Sequence, residues 1–97
     1  MTTLRLDAPL GLWAGLDPET GTIIDQRHPQ CGECVAGKVL VLPGTSGSTS
    51  GPSVLAEALR NGVGPVRIEV SAPDASLLAA TAVARVLYGV DCPLVVR

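Results

Sequence analysis

Side chains that could do chemistry are concentrated in one short segment, residues 44–53, here named the hydroxyl loop, which runs from Gly44 to Ser53. Two of its glycines, Gly47 and Gly51, are surrounded by the hydroxyls of Thr45, Ser46, Ser48, Thr49 and Ser50. Glycines let backbone N–H groups point toward a bound ligand, and a helix that begins here adds partial positive charge. Helix capping alone would account for one or two of these hydroxyls. The loop is therefore predicted to bind a carboxylate or phosphate and to ease alkoxide formation on a serine.

A buried strand and a helix are predicted to flank the hydroxyl loop. Residues 38–42 (KVLVL) form a continuous apolar run between Gly37 and Pro43, typical of a strand covered on both faces. Residues 53–60 follow the helical period, with Pro52 in the first turn and Asn61-Gly62 at the end. The loop thus follows the carboxyl end of a strand, where open α/β sheets bind their ligands.

The rest of the chain repeats this order of strand and helix. Residues 66–70 alternate apolar and charged side chains, as a half-buried strand does, and residues 94–96 are predicted to form the last strand. Asp74 is predicted to cap a second helix that ends near Tyr88, before Gly89. The inner stripe of this helix is predicted to be Leu78, Ala82 and Val86. The order predicts a parallel sheet with right-handed crossovers.

The first third of the sequence is rich in turns. Residues 10–14 and 22–24 are predicted to pair as two strands of a hairpin-like unit about the turn at residues 17–21. Trp13 is expected in the core or at an interface. We interpret the whole chain, residues 1–97, as one α/β domain in which an N-terminal β portion is followed by β-α-β-α-β.

Composition narrows the class of protein. The net charge is -2 and the basic residues do not cluster, so nucleic-acid binding is not predicted. The most apolar stretch, residues 77–90, contains Arg85 and is too short for a membrane span. The N-terminal sequence MTTLRLDAPL lacks the features of a signal peptide, and we expect a cytoplasmic protein. Three cysteines do not make a disulfide framework, and Cys92 is expected to be a small core residue.

Common nucleotide-binding and hydrolase motifs do not fit the hydroxyl loop. A P-loop requires a lysine after its second glycine, and the loop contains none; the dinucleotide pattern GxGxxG is also absent. A GxSxG nucleophile elbow would place Thr49 at the nucleophile position, and His28 is the sole histidine that could act as its base.

Two polar clusters outside the loop leave alternatives open. Cys31 and Cys34 are spaced as CxxC, but a zinc site would need two further ligands. We interpret the pair as ordinary loop cysteines, with a labile disulfide as the alternative. His28, together with Asp25 and Arg27, forms either a hydrogen-bonded turn, which we favour, or a contact with a substrate.

Four segments in register resemble the swivel domain of the aconitase X family. They are residues 15–21 (GLDPETG), 24–29 (IDQRHP), 36–44 (AGKVLVLPG) and 47–51 (GSTSG). The resemblance extends from about Gly11 to Val96, which makes it far more specific than the serine-rich loop alone. It implies a swivelling β/β/α domain that closes over a larger aconitase X-type catalytic subunit or domain.

The resemblance also implies an activity and the roles of particular residues. Aconitase X enzymes are dehydratases, and their described substrates are small anionic hydroxy acids, cis-3-hydroxy-L-proline or 5-phosphomevalonate. Cysteines of the large part hold an iron or iron–sulfur centre, so no cofactor or metal is expected on this chain. The family's serine base matches Ser48, with Gly47, Thr49, Ser50, Gly51 and Ser46 as substrate-binding neighbours. Such a serine needs hydrogen-bond donors and positive charge, which the partner would complete when the two parts close.

Two departures from the family pattern keep a second interpretation open. Gly44-Thr45-Ser46 stands where many relatives have Gly-Gly-Arg, so an arginine that could hold a substrate carboxylate or phosphate is missing. Pro52 replaces another small residue and stiffens the start of the helix. The alternative is a non-catalytic anion-binding or scaffold module that uses the loop from Gly44 to Ser53.

Overall fold

A four-stranded parallel sheet organises the chain, for which a computed structural model describes residues 2–47 and 50–97. The described elements are, in chain order, β1 (Thr3–Arg5), β2 (Leu10–Gly11), β3 (Val39–Leu42), β4 (Thr45–Ser46), α1 (Gly51–Arg60), β5 (Arg67–Val70), α2 (Ala75–Tyr88) and β6 (Leu94–Val96). The sheet has the order β1-β3-β5-β6, and β2 pairs with β4 in a separate two-stranded unit. The predicted α/β class with a parallel sheet is confirmed.

The central strand β3 is buried along most of its length, as its apolar sequence requires. Leu40, Val41 and Leu42 are buried, and β3 pairs with β1 on one side and with β5 on the other. The edge strand β1 was not predicted. Its three residues alternate in exposure, and so short a run carries too little periodicity to identify a strand.

The two helices pack against each other. They are neighbours because the crossover from β3 to β5 and the crossover from β5 to β6 run in the same direction along the sheet. Helix α1 buries Leu55, Ala56, Ala58 and Leu59. Helix α2 begins after Asp74, which caps it as predicted, and ends at Gly89 in the left-handed conformation.

The predicted inner stripe of α2 is wrong. Leu78 is 62% exposed and Val86 is 76% exposed, while Ala82 is half-buried. The buried face consists of Leu77, Ala80, Thr81 and Ala84. Because α2 is apolar around much of its circumference, the spacing 78, 82, 86 and the spacing 77, 80, 84 fit the helical period about equally well.

The predicted hairpin in the first third is confirmed only in part. The chain does reverse about the turn at residues 17–21, where Asp17 donates its N–H to the Thr22 carbonyl and Ile24 donates to the Gly15 carbonyl, but residues 10–14 do not pair with residues 22–24. Strand β2 contains just Leu10–Gly11, and its partner is β4 in the hydroxyl loop, in parallel orientation. The chain turns away after Leu12, whose carbonyl accepts the Leu16 N–H at 3.2 Å, and Ala14 takes a left-handed φ of 61°. Residues 22–24 make isolated antiparallel bridges, Leu16 with Ile23 and Thr22 with Cys34.

Candidate functional site

The described part of the hydroxyl loop leaves the sheet at the carboxyl end of β3 and leads to the start of α1. Thr45 and Ser46 form β4, and Gly47 has a φ of 93°, a conformation that favours glycine. Ser48 and Thr49, predicted as the base and a substrate-binding residue, lie outside the described residues. The loop therefore occupies the edge of the sheet where the sequence places it.

The N-terminal segment holds the first part of the loop on one side. Leu10 donates its N–H to the Gly44 carbonyl at 3.2 Å, and Leu10 and Gly11 are in register with Thr45 and Ser46. This parallel pairing fixes the direction in which the loop leaves β3.

Asp74 holds the loop on the other side, across 29 residues of sequence. Its Oδ2 accepts the Thr45 N–H at 2.7 Å and the Thr45 hydroxyl at 2.8 Å. Its Oδ1 accepts the Leu77 N–H at 3.0 Å, which is the cap of α2. Burial acts to raise the pKa of Asp74, but hydrogen bonds from Leu77, Thr45 and Ser76 outweigh it and hold that pKa below its usual value.

A cleft of about 280 Å³, here named the Arg27 cleft, opens beside the loop. The hydroxyl loop and two turns of the N-terminal part line it together: Pro9, Gly11, Trp13, Ala14, Gly15, Asp25, Arg27, Ser46 and Gly47. Three residues predicted to contact substrate, Arg27, Ser46 and Gly47, therefore meet at one site. The Arg27 side chain is 95% exposed and its Nε lies 3.8 Å from the Asp25 Oδ1, a loose ion pair that leaves the guanidinium available to an anion.

His28 is buried and its ring serves the backbone. The Gln30 N–H donates to Nδ1 at 3.0 Å, so the neutral ring carries its proton on Nε2 and donates it to the Ala8 carbonyl at 3.1 Å. Both ring nitrogens are thus used within the fold. The histidine forms the hydrogen-bonded turn that we favoured and ties the Arg27 turn to the segment before β2.

The remaining two predicted substrate-binding residues stand at the start of α1. Gly51 is buried, and a Cβ there would lie 3.3 Å from the Leu12 Cβ, so a close approach of helix and turn selects glycine. Ser50 precedes the helix, and the Ser53 hydroxyl donates to its carbonyl at 2.7 Å. Pro52 lies in the first turn, as predicted.

The cysteines do not form a metal cluster within residues 2–47 and 50–97, where no group of three or more His, Cys, Asp or Glu side chains is placed to hold an ion. Cys31, Cys34 and Cys92 are free thiols, and the Cys34 Sγ donates to the Thr20 carbonyl at 3.3 Å. Cys92 is buried in the core, as predicted, and burial raises the pKa of its thiol to about 11. Likewise, no helix in the described ranges is long and apolar enough to cross a membrane.

Two contributors to the site were missed from the sequence. Asp74 was identified as a helix cap, and nothing in its local sequence indicates a second bond to Thr45. Trp13 was expected in the core or at an interface, and its core placement is wrong because the side chain is 59% exposed at the rim of the Arg27 cleft. The residue type alone indicated an interface position, because large aromatic residues are enriched at interfaces.

The chain combines a parallel sheet, two packed helices and a hydroxyl-rich loop at the carboxyl edge of the sheet. The family profile described as "Aconitase X swivel domain" matches residues 2–97, and the chain belongs to this family. The solved structure of Thermococcus kodakaraensis aconitase X in its holo-form superposes with a TM-score of 0.78 at 28% identity. That match covers 94% of this chain and 66% of the Thermococcus chain.

Two relatives that match most of this chain are named as a dehydratase or a dehydratase subunit. The chain is 40% identical over 91 residues to a cis-3-hydroxy-L-proline dehydratase of Pseudomonas aeruginosa, covering 92% of this chain and 16% of that protein. It is 39% identical over 85 residues to the phosphomevalonate dehydratase small subunit of Pyrococcus abyssi, covering 86% of this chain and 65% of that subunit. The chain thus spans less than two-thirds of the length of either relative, and it corresponds to the swivel part of such enzymes.

Proposed function

We propose that this chain is the swivel subunit or domain of a dehydratase that eliminates water from a small anionic hydroxy acid. In this proposal it acts with a large catalytic subunit or domain and is inactive alone. The observation that carries the proposal is the Arg27 cleft, in which the hydroxyl loop of an aconitase X family member faces an available cation.

Arg27 offers a replacement for the arginine that many relatives have in the loop. Ser46, which occupies the place of that arginine, lines the same cleft as Arg27. A guanidinium held loosely by Asp25 can exchange this partner for a substrate carboxylate and bind it with two parallel hydrogen bonds. We therefore assign Arg27 to the substrate anion, and Ser46 and Gly47 to its neighbouring polar contacts.

Ser48 is proposed as the base. It follows Gly47, which lines the cleft, in the segment that leads to the start of α1. An alkoxide on this residue requires nearby positive charge, which in this proposal the helix terminus and the Arg27 guanidinium supply. It would remove the proton on the carbon next to the carboxylate, and the hydroxyl on the adjacent carbon would leave as water.

The partner is proposed to cover the cleft and the apolar surface beside it. Trp13 and Ala14 line both the Arg27 cleft and a second depression of about 300 Å³, whose other walls are Leu16, Pro18, Ile24 and Val54. Trp13 and Ile24 are exposed, so a covering surface would bury apolar area and exclude water from the cleft. An iron or iron–sulfur centre, expected in the partner, would supply a Lewis acid for the departing hydroxyl.

Among the two substrates named for relatives, we favour cis-3-hydroxy-L-proline. The match to the Pseudomonas enzyme covers 92% of this chain, and Arg27 is the one cation lining the described cleft, which suits one carboxylate. A phosphorylated substrate brings more negative charge and would call for further cations, which the partner would have to supply.

The experiment compares Ser48→Ala with Ser53→Ala in the iron-loaded complex with the large aconitase X-type part. Ser53 is the matched control because its hydroxyl donates to the Ser50 carbonyl within the helix start. We expect Ser48→Ala to lower kcat by about 10² to 10⁴, the usual contribution of a general base, with assembly unchanged. Ser53→Ala should stay within about threefold of wild type.

A second pair of variants tests the anion site. Arg27→Gln should raise the KM for the hydroxy acid at least about tenfold, because it removes a charge-assisted contact. Arg60→Gln is the control, as Arg60 pairs with Glu57 on the outer face of α1. If the wild-type complex binds the hydroxy acid without turning it over, and Ser48→Ala leaves that binding intact, the non-catalytic anion-binding module is favoured instead.

A further inference from the structure

One carboxylate serves two elements at the edge of the sheet. The side chain of Asp74 caps α2 through Oδ1 and, through Oδ2, accepts both the N–H and the hydroxyl of Thr45. A cap alone needs one acceptor oxygen, whereas here the Thr45 hydroxyl also donates to both oxygens, to Oδ2 at 2.8 Å and to Oδ1 at 3.0 Å. The 2.7 Å bond from the Thr45 N–H is the length of a charge-assisted contact.

The bonds to Thr45 complete a two-sided hold on the loop. On the opposite side, the pairing of β2 with β4 fixes Thr45 and Ser46 through the backbone. The carboxylate also lies close to Gly44, where a Cβ would be 3.4 Å from Oδ2, an ordinary van der Waals distance. Ser46, which is part of this pairing, and Gly47, which follows it, line the Arg27 cleft.

We propose that Asp74 is a positioning residue, which fixes the start of the hydroxyl loop so that its reactive portion meets the substrate in the Arg27 cleft. The inference rests on the proposed dehydratase function for its catalytic consequence. A displacement of about 1 Å in a reacting group can lower a rate by about 10² without loss of binding. A loss of this hold should therefore reduce kcat more than it raises KM.

Asp74→Ser separates the two roles of the carboxylate. Serine is as good a helix cap as aspartate, but its single short hydroxyl cannot reach both Leu77 and Thr45. Ala84→Gly is the control for stability, since it perturbs the buried face of α2 without touching the loop. Two measurements are made on each variant: the NMR signal and hydrogen exchange of the Thr45 amide in the chain, and kcat and KM in the iron-loaded complex.

In Asp74→Ser we expect the Thr45 amide signal to move upfield and its exchange to accelerate at least about tenfold, while the Leu77 amide stays protected. In the complex, kcat should fall at least about tenfold with KM changed less than about threefold. Ala84→Gly should leave the Thr45 amide unshifted and kcat within about threefold of wild type, even if it melts at a lower temperature than Asp74→Ser.

If the Thr45 amide is unchanged in Asp74→Ser, Asp74 does not anchor the loop, whatever the activity. A released amide with full kcat overturns the positioning role. A wild-type complex that dehydrates neither cis-3-hydroxy-L-proline nor 5-phosphomevalonate contradicts the proposed function, and the amide measurement then still decides whether Asp74 anchors the loop.

Discussion

Two parts of this chain line the Arg27 cleft, and they are stabilised in different ways. From β3 onward, helices and strands bury regular apolar faces, and the fold rests on many side chains that each contribute part of the core. Between β2 and β3, residues 12–38 contain turns and isolated bridges, and the backbone approaches itself closely at a few glycines. We refer to these parts as the layered half and the turn half.

This difference explains how the site is divided. The layered half contributes the hydroxyl loop and its Asp74 anchor, whereas the turn half contributes Trp13 and Arg27. Regular elements provide a rigid edge for the loop, and turns place isolated side chains opposite it. A small domain can thus build a cleft from one regular wall and one irregular wall, with the irregular wall depending on very few backbone positions.

The largest expected effect lies in the turn half, at Gly15. A Cβ at this position would collide with the Gly11 carbonyl oxygen, so Gly15→Ala requires the backbone to move. We expect the free energy of unfolding to fall by about 4 kcal/mol or more, measured by chemical denaturation. Gly37→Ala is the control, because its φ is 69° but no described atom lies within 4 Å of the added Cβ, and it should cost about 1–2 kcal/mol. Equal effects at Gly15 and Gly37 would remove the distinction between the halves.

A smaller loss is expected in the layered half, at adjacent leucines of α2. Leu77 is fully buried and Leu78 is 62% exposed. Leu77→Ala should lower the free energy of unfolding by about 3 kcal/mol, through lost burial and the cavity left behind. Leu78→Ala should stay within about 0.5 kcal/mol of wild type, as other surface changes do. If thermal or urea unfolding showed Leu78→Ala to be the more destabilising of the two, the inner stripe of α2 predicted from the sequence would be supported instead.

Acid should weaken the junction between loop and helix to a lesser degree. Because the pKa of Asp74 is held below its usual value in the fold, the unfolded chain binds this proton more readily. Stability from Asp74 is therefore present above about pH 4 and is lost as the pH falls below that value. We expect wild type to lose more stability than Asp74→Asn between about pH 5 and about pH 3. Parallel losses in the two proteins would show that the carboxylate is not specially held; the shift at Glu69 has the same sign but is common to both.

The smallest effect concerns the left-handed residue at the rim of the cleft. Ala14 has a φ of 61°, which costs an L-residue about 1–2 kcal/mol, while glycine adopts it freely but loses more entropy on folding. Ala14→Gly should thus raise the free energy of unfolding by about 1 kcal/mol or less. A destabilised variant in equilibrium denaturation would contradict the conformation assigned to this turn.

The layered half was predictable because its strands and helices carry long periodic signals and explicit caps. Residues 39–42, the helix after Pro52 and the cap at Asp74 all appear where the sequence places them. The face of α2 was not predictable, since Leu77 and Leu78 are equally apolar and the choice between them is made by the packing of the two helices. Periodicity identifies an element, and its orientation depends on what it meets.

Local signals identified the turns of the turn half, but not the long-range contacts that hold the hydroxyl loop. The pairing of β2 with β4 and the bonds between Asp74 and Thr45 join residues about 30 positions apart, and no short motif encodes such contacts. Arg27, Ser46 and Gly47, which the sequence analysis named as candidate substrate contacts, line one cleft, and their contact with a substrate stays a prediction. Ser48 as the base stays a prediction.

The most direct test of the account is the rate at which cis-3-hydroxy-L-proline and 5-phosphomevalonate lose water in the iron-loaded complex of this chain with its large aconitase X-type part. The chain alone and the Ser48→Ala complex are measured beside it. We predict turnover of cis-3-hydroxy-L-proline by the wild-type complex, none by the chain alone, and a loss of about 10² or more in Ser48→Ala. Full turnover in the Ser48→Ala complex, or no turnover of either compound by a well-assembled wild-type complex, would contradict the account.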